Sequence, residues 1–112
     1  MKRLIILITL LFAAANLVNC FGYNEKHYAR FFIKKICHNC DLYKANFSGV
    51  DLTNADFTGS NLISANFQNA TLYGAILKDT SLAGANFNGA MWIDGSICEQ
   101  GSYGSCKKRK KQ

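Results

Sequence analysis

Cys40-Asp41-Leu42-Tyr43-Lys44, Ala45-Asn46-Phe47-Ser48-Gly49, Val50-Asp51-Leu52-Thr53-Asn54: one five-residue phrase is repeated here, and it runs without a slip to Gly95-Ser96-Ile97-Cys98-Glu99. The third residue of each phrase is its centre. The centres are Leu42, Phe47, Leu52, Phe57, Leu62, Phe67, Leu72, Leu77, Leu82, Phe87, Trp92 and Ile97, all large and apolar. Two residues before each centre the side chain is small: Ala at seven positions, and Cys40, Val50, Ser60, Thr80 and Gly95 at the others. The residues flanking the centre are mostly Asp, Asn, Ser or Thr. The phrase often ends on Gly, Asn or Asp, the usual turn formers.

A period of five fits neither regular element. A helix turns every ~3.6 residues, so positions five apart lie about 140° apart around its axis. A strand sends them to opposite faces. Every fifth residue can therefore face one core only if the chain bends once per phrase, and a fixed period of this kind marks a solenoid. Tandem A-[D/N]-[L/F]-x-x resembles the pentapeptide-repeat family. The resemblance covers residues 40–99. It implies an all-β fold, a right-handed quadrilateral β-helix in which four phrases make one coil.

Four phrases per coil set a second period of twenty, and the sequence carries it. The first corner stacks Leu42, Leu62 and Leu82; the second Phe47, Phe67 and Phe87; the third Leu52, Leu72 and Trp92; the fourth Phe57, Leu77 and Ile97. Asn46, Asn66 and Asn86 repeat on the second corner, as do Ala45, Ala65 and Ala85. This gives about three coils and, at roughly 4.8 Å per coil, a rod about 14 Å tall. Its two open ends need caps.

Residues 1–20 read as a secretory signal peptide. Met1-Lys2-Arg3 is basic, Leu4 to Ala15 is almost wholly apolar, and small residues follow, so cleavage is expected between about residues 15 and 20. The apolar run falls short of the ~20 residues of a membrane span. Leu17-Val18-Asn19-Cys20 resembles the lipobox of bacterial lipoproteins, with Asn19 replacing the usual small residue, and this implies lipidation of Cys20. Residues 21–39 read as a helical cap. Within it residues 24–36 form an amphipathic helix with Asn24 as N-cap and Tyr28, Phe31, Phe32 and Ile36 on the covered face.

Five cysteines in a small exported chain suggest disulfides. In the solenoid, Cys40 and Cys98 are two coils apart, roughly 10 Å, beyond the ~7 Å reach of a disulfide. Cys98 is thus expected to pair with Cys106, and Cys37 with Cys40 across His38-Asn39. Cys20 is left as removed, lipidated or a free thiol. Both ends add to the resemblance. Cys37-His38-Asn39-Cys40-Asp41-Leu42 is similar to the C-x-x-C-D-L opening of exported pentapeptide-repeat proteins. Trp92-Ile93-Asp94-Gly95, Cys98, Gly101-Ser102-Tyr103-Gly104 and Cys106 are similar to their closing segment. Residues 100–112 read as a disulfide-closed cap loop with a solvated basic tail, Lys107-Lys108-Arg109-Lys110-Lys111.

The full chain carries +6, with thirteen basic and seven acidic residues. Residues 40–99 alone hold two basic and six acidic residues, a net −4. No catalytic, cofactor or metal constellation is legible; His27 and His38 both lie outside the coils. A four-cysteine zinc site would need every ligand about 2.3 Å from one metal, which pairs at opposite ends of a rod do not allow. The expected function is a noncatalytic exported structural or protein-interaction module, periplasmic or secreted by a bacterium, or lipid-anchored to the envelope. Its partner is an unknown protein or cell surface. The outward stripes Tyr43, Ile63, Ala83 and Thr53, Tyr73, Ile93 offer a partner surface or a weak homodimer contact, and the tail can touch anionic surfaces. No specific nucleic acid is expected. Two other readings remain. Some members of the family mimic DNA and inhibit type II topoisomerases, but this chain is short, carries an export signal and ends in a basic tail. A thiol–disulfide redox protein could use Cys37 and Cys40, yet a redox CxxC stands at a helix N-terminus, and this one follows a helix.

Overall fold

Each phrase bends at its fourth and fifth residues. The N–H three residues past a centre donates to that centre's carbonyl, as in Ala45 to Leu42, Ala65 to Leu62 and Ala85 to Leu82, each at 3.0 Å. The residue two past the centre has positive φ at Lys44, Gly49, Asn54, Gly59, Ser64, Asn69, Gly74, Asp79, Gly84 and Gly89. A turn with φ > 0 at its third residue is type II, and Gly and Asn enter it at least cost. The Asp or Asn before the centre adds a second tie. Its Oδ1 accepts from the N–H two residues on at Asp41, Asn46, Asp51, Asp56, Asn61, Asn66 and Asn86. This side-chain turn is the physical reason for Asp or Asn as the second letter of the phrase.

The computed structural model describes residues 22–109. The expected signal peptide, Cys20 and the tail beyond Arg109 lie outside the described residues. Parallel bridges join residues twenty apart, from Ile36–Asp56 to Thr71–Met91. The N–H groups of Leu42, Phe47 and Leu52 donate to the carbonyls of Asn61, Asn66 and Thr71, at 2.9, 2.7 and 2.7 Å. Those three residues donate back to Cys40, Ala45 and Val50, at 2.8, 2.9 and 3.0 Å. One lap is therefore twenty residues, and identical positions stack. Phe47, Phe67 and Phe87 form a column with centroids 5.2 and 5.1 Å apart and planes within 13° and 11°. They are fully buried with Leu42, Leu52, Phe57, Leu62 and Leu72, while the small residues Ala45, Ala55, Ala65, Ala85 and Ala90 fill the space between columns.

The lower end is closed by α1, Glu25–Lys34. Asn24 caps it by accepting from the N–H groups of Lys26 and His27, at 3.0 and 3.2 Å. The helix stops before the expected residue 36 because Lys35 turns left-handed, with φ 53°, and its N–H bonds Phe31 O at 2.6 Å. Ile36 is consequently not on the covered face; it pairs with Asp56 and is half-exposed. Phe32 does lie on the covered face, its ring 6.0 Å from Phe47, though it is 45% exposed. Cys37 occupies a centre position one lap below Phe57, so the ladder begins one phrase before Cys40. A cysteine is too small to fill that position. Phe31 fills it from the helix, stacked on Phe57 at 4.7 Å and edge-on to Phe47 at 5.4 Å.

The upper end departs from the phrase at Trp92. The positive φ expected at Asp94 falls one residue later, at Gly95 (87°). Trp92 N–H bonds Ser96 O at 2.7 Å, and Met91 pairs antiparallel with Ile97. Asp94 Oδ1 accepts from both the N–H and the hydroxyl of Ser96, at 3.0 and 2.5 Å, which favours this tight reversal over another corner. Ile97 therefore does not continue the fourth column above Leu77. It is half-exposed, and Cys98 is buried instead. Trp92 stays half-buried, edge-on to Phe87 at 5.0 Å. Leu77 and Leu82, with no complete lap above them, are also only half-buried.

Replacing Phe67 by Ala is expected to cost about 3–5 kcal/mol, the range for emptying a buried aromatic site. Ile97→Ala is expected to cost less than about 1 kcal/mol, since surface changes are small. Urea denaturation of the oxidised protein measures both.

Candidate functional site

The residues singled out by sequence gather at the two ends of the tower. At the lower end Cys37 and Cys40 are disulfide-bonded, with Cα atoms 5.5 Å apart. Ser60 lies one lap above Cys40, where most phrases carry Ala. Its hydroxyl donates to Cys37 O at 2.6 Å and accepts from Cys40 N–H at 3.1 Å, which fixes the C-x-x-C loop. His27 Nδ1 accepts from Asp41 N–H at 2.9 Å and ties α1 to the first lap. The Tyr28 hydroxyl donates to Asn46 O at 2.7 Å, and burial raises its pKa. Cys37 and Cys40 are 2% and 7% exposed. They follow the helix C-terminus rather than precede an N-terminus, so no helix dipole favours a thiolate here.

Beside this disulfide, His38 Nε2 and Asp56 Oδ2 are 2.6 Å apart. Asp56 also accepts from the Thr58 hydroxyl at 2.5 Å and the Thr58 N–H at 2.9 Å. The Thr58 hydroxyl first, then His38, hold its carboxyl down at about 2 from an ordinary 3.8. The same turn geometry lowers Asp51, through the hydroxyl and N–H of Thr53. Most acidic side chains of the tower thus serve its corners as acceptors. Their positions follow the turn and do not mark out a ligand-shaped strip of charge.

At the upper end Cys98 and Cys106 are bonded with Cα atoms 5.0 Å apart. Ser102, which is buried, organises the loop between them. Its hydroxyl donates to Glu99 O at 2.6 Å and accepts from Lys107 N–H at 2.9 Å, while its own N–H donates to Asn88 Oδ1 at 2.9 Å. Phe87 N–H donates to Ser102 O and Gly104 N–H to Ala85 O, both at 2.8 Å, so the loop lies across the last lap. The start of the tail is not the free solvated segment expected. Lys108 pairs with Asp94 at 2.5 Å and antiparallel with Cys98, and Arg109 Nε is 3.4 Å from Glu99. Lys108 foremost, then Ser96, holds Asp94 well below the usual carboxylate range.

Between the ends, the tower displays its outward residues. Tyr73 is 54% exposed, with Ile76 and Ile93 also open to solvent; Tyr43 and Ile63 are half-buried. Among the described residues no group of three or more His, Cys, Asp or Glu side chains converges as a metal site. No helix among them is long and apolar enough to cross a membrane. Sequence reasoning missed Ser60, Asn88 and Ser102 as anchors. Ser60 had one signal, a hydroxyl where the phrase prefers Ala.

A chain wound from five-residue phrases, twenty residues to the lap, is a β-solenoid. A profile of pentapeptide repeats, eight copies in length, matches residues 40–79 and 60–91. The repeat region, residues 40–91, belongs to the pentapeptide-repeat family. The chain is similar to HetL of the cyanobacterium Nostoc, a pentapeptide repeat protein involved in regulating heterocyst differentiation. The identity is 35% and the TM-score 0.44, over 55% of this chain and 34% of that one. A pentapeptide repeat protein of the cyanobacterium Cyanothece shares 36% identity, TM-score 0.49, over 51% and 40%. One from the Arabidopsis thaliana thylakoid lumen shares 33%, TM-score 0.30, over 51% and 43%. The chain spans less than half the length of each of these. No curated protein matches it.

A carboxylate depressed by folding stabilises the fold above its unfolded pKa, and that stabilisation is lost as pH falls through the folded value. For Asp56 the window runs from 3.8 down to about 2. Asp56→Asn is expected to flatten the acid limb of the stability curve in that window, measured by urea denaturation at stepped pH.

Proposed function

We propose that this chain is an exported, noncatalytic scaffold of the periplasm or cell exterior. It is a right-handed, four-sided solenoid of about three coils that holds outward residues in fixed rows for a protein or cell-surface partner. The observation that carries this reading is the disulfide at each end. Disulfides persist in oxidising compartments and are rare in reducing ones. Here they clamp the two places where a solenoid frays, the ends where stacking stops. The apolar stretch from Leu4 to Ala15 suits an export signal. Tyr73, Ile76 and Ile93 supply a small apolar surface on a rigid backbone, which binds without loss of loop entropy. A weak homodimer through the same rows belongs to this reading.

Fractionation of cells expressing the full chain, with alkylation of free thiols at lysis, tests it. The expected outcome is an extracytoplasmic protein in which Cys37, Cys40, Cys98 and Cys106 all resist alkylation. A cytoplasmic protein with these thiols alkylated overturns it. Reduction is expected to cost roughly 2–3 kcal/mol for the loop closed by Cys98–Cys106, by the loop-entropy relation. The Cys37–Cys40 contribution should add independently, because the pairs are far apart.

A further inference from the structure

The outer face of α1 has no partner within the described molecule. Tyr28, Phe31 and Phe32 face the tower, Tyr28 and Phe32 tilted against Phe47 and Phe31 stacked on Phe57. The opposite side presents Ile33, 80% exposed. Lys26, Arg30 and Lys34 lie four residues apart, one above another along the helix, and all are exposed. Like charges at this spacing destabilise a helix slightly, and none of the three enters an ion pair among those found in the described residues. Residues 22–36 carry four basic side chains against Glu25, in contrast to the acidic tower behind them.

Two further observations lie at the same end. A cleft of about 320 Å³ opens between α1 and the first phrase, lined by Arg30, Lys34, Ile36 and His38, with the Cys37–Cys40 disulfide at its floor. Two of its walls, Arg30 and Lys34, are basic. The described chain also starts here, with Gly22 against Tyr43. An exposed apolar side chain beside a row of cations has the chemistry of a surface-lying membrane helix.

We propose that the outer face of α1 docks on an anionic lipid bilayer. Lys26, Arg30 and Lys34 meet lipid phosphates, one phosphate enters the cleft beside Arg30 and Lys34, and Ile33 reaches the acyl boundary. The tower then stands with its basic end on the membrane and its acidic sides away from it. The proposal depends on the exported reading only for which membrane is met, and vesicle binding fails or succeeds independently of it.

The test is co-sedimentation of the protein, purified with its cellular N-terminus, with vesicles of phosphatidylcholine alone or mixed with phosphatidylglycerol. Stronger binding to the anionic vesicles is expected, weakening as the Debye length shrinks from ~10 Å at 0.1 M to ~3 Å at 1 M salt. The triple variant Lys26→Glu, Arg30→Glu, Lys34→Glu is expected to lose on the order of a hundredfold in that preference, from about fivefold per cation. Its helix signal and urea midpoint should match the parent's. Ile33→Ser alone should weaken binding about tenfold by loss of an apolar contact. Neutralising Lys107, Lys108, Arg109, Lys110 and Lys111 should leave the preference in place. Equal binding to both vesicle types, a triple variant that binds like the parent, or a preference that vanishes with the tail would each overturn the proposal.

Discussion

From Leu42 to Leu72 the N–H of each centre finds a carbonyl nineteen residues further on, and from Asp56 to Met91 the N–H of the residue before a centre finds one twenty-one residues back. Leu42 donates to Asn61, and Asn61 donates to Cys40. Everything else in the tower depends on this exchange. It can occur only if four bends bring the chain round to the same heading after twenty residues. It also satisfies backbone groups that a buried irregular chain would otherwise leave unpaired. The phrase is the shortest one that supplies a bend, a small residue, an acceptor for the turn and one large apolar side chain.

That constraint explains which parts were legible in advance. The centres from Leu42 to Phe87, the stacked Phe47, Phe67 and Phe87, and Asn24 as a cap all follow from spacing alone. The ends were less legible, because there the repeat meets chemistry of another kind. Cys37 does not look like a centre, being small, and its place in the ladder depends on Phe31 arriving from the helix. Ile97 looks like a centre and is not one. Gly95 takes the left-handed conformation one residue late, and Asp94 ties the reversal to Ser96. A single-residue shift of that sort leaves no trace in a count of apolar positions.

The anchors of the candidate sites were the hardest to read. Ser60, Asn88 and Ser102 belong to residue types common in loops, and their roles arise from partners fourteen to twenty-three residues distant. The acidic residues taught the opposite lesson. Counted as charge they suggested an acidic rod. In place, Asp51 and Asp56 each accept from the N–H and hydroxyl of a threonine two residues on, and their charge is a by-product of corner building. The cations divide similarly: Lys108 and Arg109 are engaged by Asp94 and Glu99, whereas those on α1 face outward.

The stacking of one lap on the next can be tested without a map. Ser48 and Gln68 are outward, exposed and one lap apart, with the Ser48 hydroxyl donating to Gln68 O at 3.2 Å. Thr58 is half a lap from both. Paired cysteines at 48 and 68 should form a disulfide on mild oxidation, since neighbouring strands lie ~4.8 Å apart and the bond reaches ~7 Å. Paired cysteines at 48 and 58 should stay reduced. Nonreducing peptide mass spectrometry reads both. A bridge at 48–58, or none at 48–68, would contradict the twenty-residue lap.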